Sequence, residues 1–295
     1  MPTNKTYLLR DSYFCGVRYG VFDIERLGSV LGREKDDSGD ILVVDDDGIH
    51  TLEQFVLARY FLTTQVIRHK GRLISDSMLV RGLKLGVMVD GIDFLRSLYS
   101  FEETDAFCKH YLSWNDERLM SRLLEPEHSE RWAGRMARRL HERRLYKRIF
   151  SENLDQLSPS AGLLGAPLKA SFPAIESEVA AILSEFGETR VDPHEVILDI
   201  TKAPPPKKSE GSVLLRRPGS PLQAFEERSA IFGSIDKTLR AESLECYAPV
   251  ALSDESKRQQ LEGRVAELII KKVEELRSSA PVADESQSEG RNHAD

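Results

Sequence analysis

The sequence TLEQFVLARYFLTTQVIRH occupies residues 51–69 and determines the predicted fold of the first half of the chain. Its apolar residues recur at helical spacing, as in an amphipathic helix that buries one stripe. Thr51 followed by Gln54 has the pattern of a capping box, in which two side chains cover the first backbone amides. The sequence therefore predicts one long helix from Thr51 to about His69, with an apolar stripe of Leu52, Phe55, Val56, Phe61, Leu62 and Val66.

Shorter helical patterns surround this segment and are joined by connections of a few residues, as in an all-α bundle. They cover Leu73–Met88, Ile92–Tyr99, Ala106–Leu112, Asp116–Leu124 and Trp132–His141, and two short helices are predicted within residues 6–33. The β-branched run that begins at Asp40 ends in Asp47-Gly48, a dipeptide typical of hairpin turns. Residues 1–150 are thus predicted to be helical, with a small β-hairpin near 41–50.

The second half of the chain has a different composition. Residues 151–172 are rich in Ser, Pro, Gly and Ala and are predicted to be a linker, and residues 173–277 an α+β region. Apolar runs predict strands over 196–200 and 213–215 that flank the proline-rich loop 203–206, then a helix over 230–240, an extended segment over 244–250 and a final helix over 261–276. The polar tail 278–295 is predicted to be disordered. The predicted fold class is mainly α, followed by a small α+β region.

Composition and charge exclude several classes of protein. With 295 residues, 40% hydrophobic and 30% charged, the chain can bury a core without metal or disulfide support. A net charge of -7 disfavours electrostatic binding of nucleic acid or anionic lipid by the chain as a whole. The three cysteines are widely spaced and indicate a reducing compartment. The chain has neither a signal peptide nor an apolar run long enough to span a bilayer, so we expect a cytoplasmic protein without membrane contact.

Two segments carry residue types that suit nucleotide recognition. Tyr7 and Asp11 stand four residues apart on one predicted helix face, where a phenol and a carboxylate can contact a sugar. A surface Asp beside a half-buried Tyr explains the same spacing. Arg59 lies among apolar residues of the long helix and can bind phosphate, although its long stem can also reach solvent without any ligand.

Other charged segments admit two interpretations. His69 and Lys70 are a candidate second anion site, yet cations near the C-terminal end of a helix are also favoured by its dipole. The basic stretch 131–148 can contact a polyanion or serve as a solvated helix face, and the second reading predicts little nucleic-acid binding. Residues 45–47 are three aspartates that lack the spaced ligands of a calcium loop. The seven histidines form no metal-binding motif, so we expect no metal ligands and no cofactor in this chain.

Taken in order, several motifs resemble the HD-domain phosphohydrolases of the deoxynucleoside triphosphate triphosphohydrolase type. These motifs are YLLRDSYFCG at 7–16, FDIER at 22–26, GIHTLEQFVLARY at 48–60, HK at 69–70 and RRLYKR at 143–148. The strand, proline-rich loop and strand that follow also resemble that family's C-terminal region. The similarity covers the part of the family that follows its metal core.

The resemblance implies roles for individual residues. It implies that Tyr7 packs on the deoxyribose, that Asp11 accepts the 3′-hydroxyl, and that Arg59 binds the triphosphate. His69 and Lys70 match positions that contact an activating nucleotide, whereas Ile67 replaces the aromatic residue found in nucleotide-activated members. The basic partners expected on the hairpin fall at two acidic positions, Asp45 and Asp47, which would repel a triphosphate.

The resemblance also implies what this chain lacks. The family binds its divalent metal through a His, a His-Asp pair and a later Asp, and this last position is Thr3 here. The phosphate-binding Lys that follows is Asn4, and the other ligands would precede Met1. The chain is therefore expected to be a C-terminal fragment or degenerate homologue of such an enzyme, inactive alone.

The competing interpretation is a non-catalytic regulatory or scaffold module. Such a module would form a homo-oligomer, or associate with a complete homologue, or bind nucleotide or nucleic acid without chemistry. The partners expected under the leading interpretation are a deoxynucleotide and further copies of the chain or of a complete homologue.

Overall fold

The computed structural model describes residues 2–36, 39–157, 161–187, 190–201, 213–232, 242–250 and 254–279. The chain forms two compact units, each assembled from separate stretches of sequence. Unit 1 comprises Met1–Leu145 with Thr201–Glu242, and unit 2 comprises Tyr146–Ile200 with Ser243–Asp295. The predicted fold class, mainly helical with some sheet, is confirmed at this level.

Unit 1 contains the helices predicted from apolar periodicity. They are α1 (Pro2–Cys15), α2 (Ile24–Ser29), α3 (Ile49–Leu62), α4 (Lys70–Met88), α5 (Asp93–Tyr99), α6 (Asp105–Leu112), α7 (Asp116–Leu123) and α8 (Trp132–His141). Leu8, Phe22, Leu27, Ala58 and Leu62 form a buried cluster between α1, α2 and α3. A second cluster joins α5, α7 and α8. Periodicity located most of these helices because they bury apolar side chains in such clusters, whereas α6 has no buried residue.

The long helix differs from its prediction at both ends. It begins at Ile49 with Gly48 as its N-cap, so the predicted capping box does not form. The Gln54 side chain instead accepts a hydrogen bond of 3.1 Å from the Asp23 amide and holds the start of α2. After Leu62 the helix widens into a π-helical turn, Thr63–Ile67. Turns of this kind inside helices often occur at functional sites.

The predicted hairpin lies earlier than expected. It consists of β1 (Leu31–Asp36) and β2 (Gly39–Asp45), which pair antiparallel. Asp46–Gly48 forms a 3-10 turn into α3 rather than a hairpin turn, and the φ of Gly48 is -89°. A Cβ on Gly48 would lie 2.6 Å from a Val30 methyl group. Close packing against Val30 therefore requires glycine at this position. The Asp-Gly dipeptide is the same in sequence whether it forms a hairpin turn or this close contact.

Two further strands complete the sheet of unit 1. They are β5 (Leu214–Arg216), which pairs parallel to β2, and β6 (Gln223–Ala224), giving the order β1-β2-β5-β6. A short helix, α11 (Phe225–Arg228), follows, and Phe225 packs into the cluster of α1 and α3. The segment 213–232 thus belongs to unit 1, although it is far from that unit's other residues in sequence.

Unit 2 places two long helices against a small sheet. The sheet has the order β3-β7-β4, from strands β3 (Lys147–Asn153), β4 (Ile197–Thr201) and β7 (Ser243–Ala248). The helices are α9 (Leu154–Leu157), α10 (Ala161–Phe186) and α12 (Glu255–Ser279). The core between them contains Ile175, Val179, Leu198, Val265 and Ile269.

One prediction for the second half requires correction, and another is confirmed. The predicted linker 151–172 instead contains the end of β3, α9 and the first part of α10, where Leu168 is buried in the core. The predicted strands 196–200 and 213–215 are present as β4 and β5, but they belong to different sheets. The loop 203–206, most of the helix predicted over 230–240, and most of the predicted tail lie outside the described residues. Among the helices that the structure describes, each is too short or too polar to cross a lipid bilayer.

Candidate functional site

Helix α1 carries Tyr7 and Asp11. The Tyr7 side chain is half-buried and packs against the cluster between α1 and α3. Asp11 is 43% exposed and forms a loose ion pair of 3.9 Å with its neighbour Arg10. The loop after α1 is held closely, because buried Ser12 accepts a hydrogen bond of 2.8 Å from the Gly20 amide. This hydrogen bond joins the loop to the last turns of α1, which carry the half-exposed carboxylate of Asp11.

Arg59 lies in the last turn of α3, where its side chain is half-buried. The π-helical turn Thr63–Ile67 follows directly, and the amide of Thr63 hydrogen-bonds to the carbonyl of Arg59. Helices α1 and α3 contact each other, with Leu8 of α1 and Leu62 of α3 in the same cluster. The structure thus brings together the two helices that carry Tyr7, Asp11 and Arg59.

His69 and Lys70 lie at the N-terminus of α4, not at the C-terminus of the preceding helix. His69 is the N-cap of α4, and its Nδ1 accepts a hydrogen bond of 3.2 Å from the Gly71 amide. Lys70 is exposed in the first turn, where the helix dipole does not favour a cation. The dipole explanation for these residues therefore fails, and the anion-site interpretation stays a prediction.

Each of the three aspartates at 45–47 pairs with an arginine distant in sequence. Asp45 contacts Arg216 at 2.6 Å, which raises the pKa of this guanidinium through the hydrogen bond and the charge of Asp45 and then of Glu34. Asp47 contacts Arg26 at 3.0 Å, and Asp46 contacts Arg228 at 3.6 Å. The acidic run is therefore a set of ion pairs that ties the start of α3 to other segments.

Sequence reasoning missed a buried carboxylate on α3. The Glu53 side chain is 13% exposed and lies 2.9 Å from His50 Nδ1. The Ser229 hydroxyl donates to the same carboxylate at 2.7 Å. Burial alone would raise the pKa of Glu53, but the hydrogen bonds from His50 and Ser229 outweigh it and lower the pKa below 4.5. Ser229 is remote from Glu53 in sequence. The only local indication of this cluster was His50, which lies three residues before Glu53.

The basic stretch 131–148 begins on α8. Ala133, Met136 and Ala137 are buried, whereas the guanidinium of Arg135 lies 4.6 Å from the ring centre of Trp132. Arg131 donates a hydrogen bond of 3.2 Å to the carbonyl of Asp90. This part of the stretch is a helix with one buried face and one charged face, as the solvated-face interpretation predicts.

The described residues do not fit the divalent metal that the resemblance implies. Within these ranges, no three His, Cys, Asp or Glu side chains lie close enough together to hold a metal ion. The most acidic segment, residues 45–47, is occupied by arginine partners. We therefore derive no chemical step through a metal from the residues of this chain.

Comparison with curated proteins shows two relatives of unassigned function. The uncharacterized protein YwfO of Bacillus subtilis is 35% identical over 75 residues, which are 25% of this chain and 16% of that protein. The uncharacterized protein MJ1154 of Methanocaldococcus jannaschii is 23% identical over 265 residues, or 89% of this chain and 52% of that protein. The chain thus spans about half the length of its more extensively matched relative.

A solved structure and a family model give the remaining comparisons. A phosphohydrolase of Bacteroides thetaiotaomicron superposes with a TM-score of 0.54 at 16% identity, covering 83% of this chain and 60% of that chain. This similarity shows a common fold. The family model described as the HD associated region matches residues 22–266. Because this match covers most of the sequence, the chain belongs to the HD-associated region family.

Proposed function

We propose that unit 1 forms one side of a deoxynucleotide-binding site, in a protein similar to the HD-domain dNTP triphosphohydrolases. In this proposal Tyr7 packs on the deoxyribose, Asp11 accepts the 3′-hydroxyl, and Arg59 binds the phosphate chain. The observation that carries the proposal is the contact between α1 and α3 over a common core. This contact holds the sugar-binding and phosphate-binding candidates on two adjoining helices.

The local chemistry of the three residues supports these roles. Within the described ranges Asp11 has one long ion pair of 3.9 Å, so its carboxylate retains acceptor capacity for a hydroxyl. A guanidinium presents a planar set of donors that matches phosphate oxygens. The π-helical turn that begins four residues after Arg59 changes the helix geometry there, as is frequent where helices carry binding residues.

We further propose that this chain alone does not hydrolyse dNTPs. The intact family converts a dNTP to a deoxynucleoside and triphosphate with metal-activated water. The resemblance assigns the position of one metal-binding Asp to Thr3 and that of the phosphate-binding Lys to Asn4. A hydroxyl and an amide are poor substitutes for a carboxylate and an ammonium group at such positions.

Titration calorimetry with a dNTP on the full chain tests the binding proposal. Loss of one charge-assisted contact, at about 1.5–3 kcal/mol, should weaken dNTP binding about tenfold or more in Arg59→Ala. His69→Ala is the matched control, since His69 lies on α4 beyond the π-helical turn, and should change the affinity little. Equal effects in the two variants would contradict the assignment. Submicromolar binding untouched by Arg59→Ala would also do so, because the nucleotide would then bind elsewhere.

A turnover assay separates the enzyme from the alternative module. The purified chain is incubated with each dNTP and Mg²⁺ or Mn²⁺, and released triphosphate is measured by ion-exchange chromatography. We expect no triphosphate above the level of a protein-free control. Turnover that is lost in Arg59→Ala would show that the chain is a complete enzyme and would contradict the proposed inactivity.

The alternative, a regulatory or scaffold module, is favoured by one separate observation. Large apolar side chains are exposed on and before α6, including Leu112 at 81% and Phe101 at 77%. Such a surface is common where proteins associate. Association and nucleotide binding are compatible, so this observation does not depend on the nucleotide-binding proposal.

A further inference from the structure

The outer face of α6 is apolar and exposed. None of the residues of this helix, Asp105–Leu112, is buried. Leu112 is 81% exposed, Tyr111 is 52% exposed, and Cys108 between them on the helix surface is also exposed. Amphipathic helices of globular proteins usually bury their apolar stripe. On α6 the stripe instead faces solvent.

This face is held in a fixed conformation. The Phe107 amide donates a hydrogen bond of 3.1 Å to the Thr104 hydroxyl, which caps the start of α6. The Phe107 ring stacks on Tyr111 and meets Phe101 edge-on, with ring centres 5.9 and 5.5 Å apart. On the inner side, His110 Nε2 lies 3.3 Å from the Ser97 hydroxyl on α5. A partner would therefore meet a preformed surface and lose little conformational entropy on binding.

The charges beside the apolar stripe are self-complementary. Asp105 and Lys109 stand four residues apart and so lie on the same edge of this face. Both are exposed, and neither has an ion pair within the part of the chain that the structure describes. When two identical helices pack antiparallel about a two-fold axis, the same edge of each helix meets. Asp105 of one copy then faces Lys109 of the other, and the pair occurs twice.

We propose that the outer face of α6 is the interface of a homodimer, in which two copies of α6 pack antiparallel. Tyr111, Cys108 and Leu112 form the apolar centre, and the two Asp105 to Lys109 pairs fix the register. A second copy is the occupant that these charges fit, because an isologous interface requires one surface that complements itself. The patch is small compared with the ~800 Å² per partner of a standard interface, so we expect a reversible, concentration-dependent dimer.

Sedimentation of the full chain over a range of concentrations tests the location of the interface. Leu112→Asp should weaken the dimer at least about tenfold, because it places a charge in the apolar centre. The control is Tyr13→Asp, since Tyr13 on α1 is 80% exposed and lies in another exposed apolar region. Circular dichroism verifies that both variants are folded. A chain that remains monomeric up to a few hundred micromolar, or a dimer broken by Tyr13→Asp and not by Leu112→Asp, overturns the proposal.

A charge exchange tests the antiparallel arrangement. Lys109→Glu and Asp105→Lys should each weaken the dimer, by up to about fivefold for exposed pairs, because like charges then face each other. The double variant restores opposite charges and should recover most of the affinity. Failure of the double variant to recover affinity, while both single variants weaken the dimer, excludes this register.

Cross-linking gives a second measure of the register. In the proposed arrangement the Cys108 side chains of the two copies lie close to the two-fold axis, so a short bis-maleimide should join them. Cys15→Ser, which removes the other exposed cysteine, should still cross-link, and Cys108→Ser should not. Cross-linking that depends on Cys15 instead overturns the arrangement.

Discussion

The two units differ in the exposure of several polar side chains. Unit 2 buries them and satisfies them inside: Glu176 accepts a hydrogen bond of 3.0 Å from the Leu198 amide, and the Tyr247 hydroxyl donates to Glu245. Burial, followed by the hydrogen bond and charge of Glu245, raises the pKa of Tyr247 far above its ordinary value. In unit 1, Asp11 and Arg216 remain half-exposed, although Glu53 is mostly buried and hydrogen-bonded to Ser229.

This difference indicates where each unit can do chemistry. A polar group that is buried and satisfied contributes to a specific core, but it has little capacity left for a ligand. A half-exposed carboxylate or guanidinium at the end of a well-packed helix can exchange its partner for a substrate. The comparison therefore gives the core of unit 2 a structural role, whereas the binding role proposed above for the surface of unit 1 stays a prediction.

The largest effect should come from the core of unit 2. Ile269→Ala should lower the free energy of unfolding by about 2–5 kcal/mol, because Ile269 is fully buried and its truncation leaves a cavity. Urea denaturation followed by circular dichroism measures the change. Ile270→Ala, at a neighbouring side chain that is 37% exposed, should cost much less and is the control.

Ile269→Ala also tests whether the two units unfold separately. Both tryptophans, Trp114 and Trp132, belong to unit 1, so their fluorescence reports on that unit. If the units are separate compact bodies, Ile269→Ala should shift the circular dichroism transition more than the fluorescence transition. Equal shifts by both probes would show that the two units unfold as one.

A smaller effect, dependent on pH, should come from Glu53 in unit 1. Glu53→Gln should lower the free energy of unfolding by about 1 kcal/mol at pH 7, because the charged acceptor of His50 and Ser229 is lost. The pKa of Glu53 is lower in the folded chain than in the unfolded chain. Its contribution is therefore present above the unfolded pKa and is lost as the pH falls through the folded pKa.

Denaturation at pH values from 7 to 3 measures this dependence. The difference between the wild-type chain and Glu53→Gln should shrink toward zero below pH 4.5. Glu130→Gln, at an exposed glutamate, is the control and should change stability little at any of these pH values. A difference that persists unchanged to pH 3 would mean that the charge of Glu53 does not stabilise the fold.

The smallest effect should come from the ion pairs of Arg216. This side chain is 38% exposed and contacts both Asp45 and Glu34. Arg216→Ala should lower the melting temperature slightly at low salt, and the difference should disappear in 1 M NaCl, where the screening length is about 3 Å. Arg217→Ala is the control at the adjacent exposed arginine. A large decrease that persists in high salt would show that packing of Arg216 over Gly32, rather than its charge, stabilises the sheet.

Local sequence patterns predicted much of the secondary structure. The helices α4, α5, α6, α7 and α8, the strand β7 and the helix α12 all lie close to their predicted positions. Apolar residues recur at the helical or the strand period in these elements, and this period can be read from residues that are close together in sequence. The same reasoning failed at residues 151–172, where small residues and prolines are typical of a linker but α10 continues through Pro167 and Pro173. The buried Leu168 shows that packing outweighed composition there.

The candidate site was predicted only in part. Tyr7, Asp11 and Arg59 came from their residue types and from a resemblance, and the structure adds that their helices are in contact. Whether they bind a nucleotide stays a prediction. The arginine partners of Asp45 and Asp46 and the hydrogen bond from Ser229 to Glu53 were not predictable, because these partners come from the segment 213–232.

The sequence by itself determined the helical class of the chain and the positions of most helices, and it indicated Tyr7, Asp11 and Arg59 as candidate nucleotide-binding residues. These properties depend on short-range periodicity and on the chemistry of single side chains. The tertiary structure decided which strands share a sheet, and it placed Arg216 on Asp45 across a separation of 171 residues. Contacts of this range depend on how distant apolar faces pack together, and no local pattern records that packing.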